Sequence, residues 1–206
     1  MTINLEQIYA GLKAWRKERG ITAQSQKDGY LVNIMEEFGE LATALREYER
    51  FSKPSYPYPK NKKYAEHGII DALCDISVFT INAGADIPCA KKDLETHTGQ
   101  LKASFAMLVE ACAIFAQDKE YSTVDYIAEI KAFEYHIFFN DILHICACLA
   151  YNYGFNFEIA MLETIKEISS RTGSYDKNAK KWVKDKSDEA RAKWHQANYE
   201  LARIKQ

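Results

Sequence analysis

The chain has few residues that break regular structure. Only 9 of its 206 residues are glycine and 4 are proline, and three of the prolines, Pro54, Pro57 and Pro59, lie in one short stretch. This scarcity excludes a collagen-like chain and a long disordered one, and it disfavours many short strands joined by tight turns. Hydrophobic residues make up 47% of the chain, so a packed, mainly helical core is the expected architecture.

A long apolar run is also lacking. The first residues show no basic stretch followed by an apolar one, and no window of about 18 residues is both apolar and uncharged. We therefore expect a soluble protein of the cytoplasm without a membrane partner.

The cysteines form no recognisable metal or redox motif. Cys74, Cys112, Cys146 and Cys148 lie within apolar helical patterns, and one residue between the last two is too short a spacer for a Cys-x-x-Cys pair. Cytosolic thiols stay reduced and pack as small apolar groups, so we expect reduced cysteines in the core.

The charge is nearly balanced overall but unevenly distributed. Residues 1–170 carry 17 basic and 24 acidic side chains, a net charge of −7, whereas residues 171–206 carry 10 basic and 5 acidic side chains, a net charge of +5. An acidic body argues against a nucleic-acid partner. The basic end of the chain needs another explanation.

Apolar residues recur at helical spacing along most of the chain. This pattern predicts helices near residues 5–19, 29–50, 63–85, 99–117, 123–152, 156–170 and 188–204. Residues 21–28 and 171–187 are polar, and we expect a loop and an irregular segment there. No strand-length run alternates, so the predicted fold class is all-α, a helical bundle.

The two halves of the chain share a weak similarity. Residues 108–114 resemble residues 35–41 in their apolar pattern. A degenerate internal repeat and the general likeness of any two amphipathic helices both explain it, and the sequence does not choose between them. We divide the chain into a first helical unit, residues 1–98, and a second, residues 99–206, within one compact domain.

Five acidic residues occupy two neighbouring predicted helices: Glu36, Glu37, Glu40, Asp71 and Asp75. Residues three or four apart share a helix face, so Glu37 and Glu40 project together, as do Asp71 and Asp75. Apolar residues flank them, and carboxylates aimed at a core are costly unless a cation neutralises them. Oxygen ligands suit Mg²⁺, with Mn²⁺ as a substitute, and Mg²⁺ often completes its shell with substrate phosphates. The pattern therefore predicts a phosphorylated substrate.

These motifs resemble those of a known superfamily. Residues 36–40, EEFGE, and residues 71–75, DALCD, are similar to the Glu-Glu-x-x-Glu and Glu-x-x-Asp signature of the all-α nucleoside triphosphate pyrophosphatases. That superfamily includes the MazG proteins, the dimeric dUTPases and the phosphoribosyl-ATP pyrophosphohydrolases. The resemblance covers roughly residues 29–88. It departs from the signature where Ala72 replaces the usual glutamate, and Asp71, with a shorter side chain, takes that role.

The resemblance implies an enzyme, a Mg²⁺-dependent nucleotide pyrophosphohydrolase that cleaves a nucleoside triphosphate to the monophosphate and pyrophosphate. It implies metal ligands at Glu37, Glu40, Asp71 and Asp75, and Glu36 or Glu37 as the group that orients or deprotonates the attacking water. Relatives build the pocket from two subunits or two repeats, which favours a homo-oligomer, a dimer. Two alternatives stay open: a dUTPase or dCTPase type that also accepts the diphosphate, and a non-catalytic nucleotide-binding helical protein.

The carboxyl-terminal part resembles MazG-like and dimeric dUTPase-like proteins more loosely, over residues 156–185. In those relatives a basic loop approaches the substrate phosphates, which implies this role for Arg171, Lys181 and Lys184.

The sequence gives fewer indications of the residues that bind the base than of those that bind the metal and the phosphates. Trp15, Tyr30 and Phe79 are candidates to stack on the base, and Asn82 is the candidate to hydrogen-bond its edge. A di-iron carboxylate bundle is disfavoured because the acidic site has no Glu-x-x-His pair. The sequence does not choose among the bases.

Overall fold

The computed structural model describes residues 5–55, 59–84, 142–176 and 181–205, and these are mostly helical. In chain order the elements are α1 (Leu5–Glu18), α2 (Ala23–Phe51), α3 (Pro59–Ala83), α4 (residues 142–152), α5 (Phe157–Ser170), β1 (Gly173–Asp176), β2 (Lys181–Lys184), α6 (Asp188–Arg191) and a 3₁₀ helix (Tyr199–Ala202). The predicted helix at 99–117, most of that at 123–152 and residues 108–114 of the suggested repeat lie outside the described residues. Within the described ranges, no helix has the length and apolar character that crossing a bilayer needs.

The core lies where α2 and α3 pack along each other and α5 packs against α1 and α3. Its largest fully buried side chains come from α1, α2, α3 and α4 and from the turn after α4, and include Ile8, Tyr30, Leu41, Leu73 and Phe155. Three of the predicted core cysteines, Cys74, Cys146 and Cys148, are buried and form no disulfide in the part of the chain described here, as expected; Cys112 lies outside it.

The prediction of a loop over residues 21–28 is wrong. Gly20, at φ 64°, ends α1 as expected, because glycine adopts the left-handed conformation without strain. However, α2 begins only three residues later, at Ala23, where the side chain of Thr22 accepts a hydrogen bond from the Ser25 N–H at 3.1 Å. This cap offsets the weak helical preference of a polar first turn.

The prediction of an irregular segment over residues 171–187 is also wrong. β1 and β2 pair antiparallel, with Gly173 opposite Lys184 and Tyr175 opposite Trp182. Gly173 allows this close pairing, because a Cβ there would clash with the backbone carbonyl oxygen of Val183 on the paired strand and would lie 2.8 Å from the Trp182 Nε1. The described chain is therefore mostly helical with one β-hairpin.

The helix predicted over residues 188–204 forms only at its two ends, as α6 and the 3₁₀ helix. Between them, over residues 195–198, three backbone N–H groups donate to side chains of α5 instead of to helical carbonyls. His195 N–H donates to Ser170 Oγ at 2.8 Å, and Ala197 N–H donates to a carboxylate oxygen of Glu167 at 2.9 Å. In this segment, hydrogen bonds to side chains of α5 take the place of the backbone hydrogen bonds of a helix.

Candidate active site

A cavity of about 340 Å³ lies between α1, α2, α3, the end of α5 and the hairpin. One group of lining residues is charged or polar: Arg19, Gln26, Glu37, Asp75, Arg171 and Lys184. The other group is apolar, with three aromatic rings: Trp15, Ile21, Val78, Phe79, Ile168 and Trp182. A ligand with an anionic part and a flat apolar part has the matching chemistry.

Two of the predicted acids line this cavity, Glu37 from α2 and Asp75 from α3. Burial raises the pKa of Glu37 from 4.5 to about 7, and the charges of Glu40, Glu36 and Asp71 add to the rise. Burial also raises the pKa of Asp75 well above its ordinary value, with further repulsion from Asp71 and Glu37. The carboxylates are therefore close enough to repel each other and short of compensating positive charge.

Two cations from the carboxyl-terminal part of the chain approach these acids. Arg171 follows α5, and Lys184 ends β2 with its side chain on the same face of the strand as Trp182. Arg171 lowers the pKa of Asp75, and Lys184 lowers that of Glu37, although in both cases burial has the larger effect. Burial and the nearby Arg171 charge lower the pKa of Lys184. The basic end of the chain thus meets the acidic helices at this cavity.

Arg171 is held in place by its neighbours. Its guanidinium donates to Glu167 Oε1 at 2.6 Å and lies 5.9 Å from the ring centroid of Trp194. Its Nε is buried and has no hydrogen-bond partner within the described residues. A donor held in this way is available to an anionic ligand.

Asp71 lies one turn before Asp75 on α3. Its Oδ1 accepts a hydrogen bond from the Tyr199 hydroxyl at 2.6 Å. Burial raises the pKa of Asp71, and the hydrogen bond from Tyr199 offsets part of that rise. Asp71 is therefore a half-buried carboxylate with one oxygen already engaged, and it does not line the cavity.

The other predicted site residues are placed differently. Glu36 and Glu40 are exposed on α2 and act on Glu37 only through their charges.

Asn82 is completely buried, its amide atoms have no hydrogen-bond partner in the described chain, and it does not line the cavity. Lys181 begins β2, but its side chain lies outside the described part. Tyr30 is also completely buried and contacts Thr80 Oγ1 at 3.0 Å.

The donor set of the cavity fits Mg²⁺. Glu37 and Asp75 line the cavity and offer carboxylate oxygens that form no hydrogen bond and no ion pair with any described residue. Asp71 does not line the cavity, although its charge acts on both of these acids. Oxygen ligands of this kind are those that Mg²⁺ binds in proteins. Among the described residues, no three acidic, histidine or cysteine side chains are arranged to enclose an ion by themselves.

Sequence reasoning missed several lining residues that the structure reveals, among them Gln26 and Trp182. Gln26 has a buried Oε1 without a hydrogen-bond partner in the described chain, and it lies in the segment predicted as a loop. Trp182 lies in the segment predicted as irregular. The signal for Trp182 was present, since it alternates with Lys184 as residues of a strand do.

Arg19, also missed, joins the elements around the cavity. It is 3% exposed, and its guanidinium lies 5.5 Å from the ring centroid of Trp15 and 5.4 Å from that of Trp182. One of its terminal nitrogens donates to three carbonyl oxygens at the end of α5, those of Ile168, Ser169 and Arg171, at 3.3, 3.0 and 2.9 Å. Arg19 therefore fixes the position from which Arg171 approaches the acids.

No protein-family model matches this chain, and no curated protein and no solved structure is similar enough to count as a relative.

Proposed function

We propose that this protein is a Mg²⁺-dependent nucleoside triphosphate pyrophosphohydrolase. The observation that carries the proposal is the cavity in which Glu37 and Asp75 face Arg171 and Lys184, with aromatic side chains around the rest of the wall. This arrangement supports the binding of a polyphosphate at the charged end and a base at the apolar end. The acidic motif, which resembles that of the all-α pyrophosphatases, supports the same activity.

The cations would bind the phosphates. Arg171 offers a planar group that can grip two phosphate oxygens, while Lys184 acts as a point charge. Lys181 belongs to the same proposal as a further phosphate contact. Because burial lowers the pKa of Lys184, an anionic ligand beside it would favour its charged form.

The acids would hold the metal and activate water. Glu37, Asp75 and Asp71, with Glu40 nearby, are the ligands that would hold Mg²⁺, which when bound neutralises phosphate charge and lowers the pKa of water. Glu37 takes the proton of the water whose oxygen bonds to the α-phosphorus, as the bond from that phosphorus to the bridging oxygen breaks and pyrophosphate leaves. Glu36 is exposed and suits this role less.

The apolar end would bind the base. Trp15, Phe79 and Trp182 offer rings on which a base can stack, and Gln26 offers an unpaired amide oxygen to its edge. Asn82, one turn beyond Phe79, remains a proposed contact only if a ligand or a movement of α3 exposes it. A homodimer in the cytoplasm without a nucleic-acid or membrane partner completes the proposal.

The experiment is a product analysis. The purified protein is incubated with Mg²⁺ and each of the four deoxynucleoside triphosphates and dUTP, and the expected products are the monophosphate and pyrophosphate. Glu37→Gln and Asp75→Asn should each reduce kcat about a hundredfold or more, because the base or a metal ligand is lost. Glu49→Gln, an exposed acid on α2, is the control and should retain the rate.

Other outcomes decide between the alternatives. Release of phosphate from dUDP would indicate the dUTPase or dCTPase type. Nucleotide binding without pyrophosphate release would indicate a non-catalytic nucleotide-binding protein. Wild-type rates in both Glu37→Gln and Asp75→Asn would contradict the proposed site.

A further inference from the structure

Tyr199, which is 128 residues from Asp71 in the sequence, forms a hydrogen bond with one carboxyl oxygen of that residue. The tyrosine hydroxyl donates to Asp71 Oδ1 at 2.6 Å, and the tyrosine is 5% exposed. Burial raises the pKa of Tyr199, so its hydroxyl keeps the proton that it donates. The distance lies at the short end of the usual range for a hydrogen bond from a hydroxyl to an oxygen.

The hydroxyl of Tyr199 is fixed from a second side. It lies 3.0 Å from Thr164 Oγ1 on α5. Because Tyr199 donates its one proton to Asp71, it can only accept from Thr164, whose single proton is directed either at Tyr199 or at the Ala160 carbonyl, 3.1 Å away. Both threonine and tyrosine are buried. The hydroxyl therefore has little freedom to leave Asp71.

The 3₁₀ helix that carries Tyr199 is itself bound to α3 one turn before Asp71. The next residue, Glu200, contacts His67 Nε2 at 2.6 Å and Lys63 at 3.2 Å. Two successive residues of the 3₁₀ helix thus attach to successive turns of α3. The 3₁₀ helix is therefore attached to α3 through Glu200 as well as through Tyr199.

We propose that Tyr199 is a positioning residue for Asp71: by engaging Oδ1 it fixes the carboxylate so that the second oxygen is presented to a divalent cation. The inference rests on the proposed metal-dependent function. It also explains how Asp71 can serve where the signature has a glutamate. A shorter side chain, attached one residue earlier, reaches a fixed point only if its rotamer is set, and groups that orient metal ligands commonly change metal affinity when removed.

The test measures metal binding alone, with Mn²⁺ as the probe and free Mn²⁺ followed by electron paramagnetic resonance. Tyr199→Phe should weaken Mn²⁺ binding about tenfold, in the range seen for residues that orient metal ligands. Tyr30→Phe is the matched control, since it also removes a buried tyrosine hydroxyl that contacts a threonine, but away from the acids. Tyr30→Phe should leave the affinity unchanged.

A double-mutant cycle separates positioning from a general loss of structure. In an Asp71→Asn background, Tyr199→Phe should have no further effect on Mn²⁺ affinity, because the carboxylate that it orients is already gone. Equal effects of Tyr199→Phe in both backgrounds would overturn the inference. So would a Tyr199→Phe protein that binds Mn²⁺ as tightly as Tyr30→Phe.

Two further outcomes keep the inference distinct from the proposed function. If the wild type binds no Mn²⁺, the metal-dependent function and the inference both fail. If Asp71→Asn weakens binding but Tyr199→Phe does not, the inference alone fails. If Tyr199→Phe does not fold, a second measurement uses the wild type. Addition of Mn²⁺ should change the near-ultraviolet absorption of tyrosine in the wild type but not in Asp71→Asn. Equal difference spectra in the two proteins would overturn the inference.

Discussion

The guanidinium of Arg19 lies over the indole of Trp182, with 5.4 Å between Cζ and the ring centroid. Arg19 follows α1 and Trp182 belongs to β2, so this contact attaches the hairpin to the amino-terminal helix. Since Arg19 also donates to carbonyls at the end of α5, three elements meet at one buried side chain. The shape of the cavity wall depends on it.

Arg19→Lys should lower the free energy of unfolding by about 2–3 kcal/mol, because an ammonium cannot reproduce the planar stacking and the forked hydrogen bonds inside a buried site. Denaturant unfolding measures this change. Arg46→Lys, an exposed position on α2, is the control and should change stability by less than about 0.5 kcal/mol. Equal stability of the two variants would show that Arg19 does not hold these elements together.

Glu37→Gln should change how stability depends on pH in the metal-free protein. The folded-state pKa of Glu37 is raised from 4.5 to about 7, so the folded protein binds more protons than the unfolded chain between these values. The contribution of Glu37 to the free energy of unfolding is therefore greatest below about pH 4.5, and this contribution is lost as the pH rises through 7.

The measurement is urea unfolding at a series of pH values. Above pH 7, Glu37→Gln should be more stable than the wild type by about 1 kcal/mol, a figure reduced for solvent screening of a half-buried group. The difference should shrink towards pH 4.5. Parallel profiles across this range would contradict the raised pKa.

The sequence predicts those elements of the fold that depend on interactions between residues close together in the chain. The spacing of apolar residues predicted α1, α3 and α5 within a few residues of their observed bounds, because each helix buries a regular stripe. It placed the start of α2 too late, since the first turn is polar and is stabilised by the Thr22 cap. It missed the hairpin, where only Trp182 and Lys184 show the alternation of a strand.

The candidate site divides in the same way. Glu37 and Asp75 could be predicted from their spacing and their apolar neighbours, and Arg171 and Lys184 from the resemblance; all four line one cavity. Tyr199 could not be predicted, because it is 128 residues from Asp71 and nothing local distinguishes it from other tyrosines. Asn82 was predicted on a suitable helix, but it lies away from the cavity wall.

Lys184→Gln should weaken binding of a non-hydrolysable nucleoside triphosphate analogue about tenfold, because a charge beside the proposed phosphate site is lost. Isothermal titration calorimetry measures the affinity. Lys186→Gln, an exposed lysine two residues further on, is the matched control and should change the affinity by about twofold at most. Equal losses in both variants would indicate a general effect of charge rather than a phosphate contact.

Gly173→Ala should force β1 and β2 apart and displace Trp182, because the added Cβ would clash with the backbone carbonyl oxygen of Val183 and would lie 2.8 Å from the indole Nε1. We expect a loss of about 1–2 kcal/mol in stability and a shift of tryptophan fluorescence. Gly39→Ala is the control, and its expected change in stability has the opposite sign. Nothing lies within 4 Å of a Cβ there, so alanine should stabilise α2 by about 0.5–1 kcal/mol. An unshifted fluorescence spectrum in Gly173→Ala would contradict the packing described for the hairpin.

The separation along the chain between the acids and their cations has a consequence for the order of folding. α2 and α3 are neighbours in sequence, so their pairing needs only a short loop to close, whereas Arg19 reaches its partners on α5 across about 150 residues. An early α2–α3 hairpin brings Glu37, Asp71 and Asp75 together before Arg171 and Lys184 arrive. Repulsion among these carboxylates then opposes the first folding step, and mild acid or divalent cations would accelerate it.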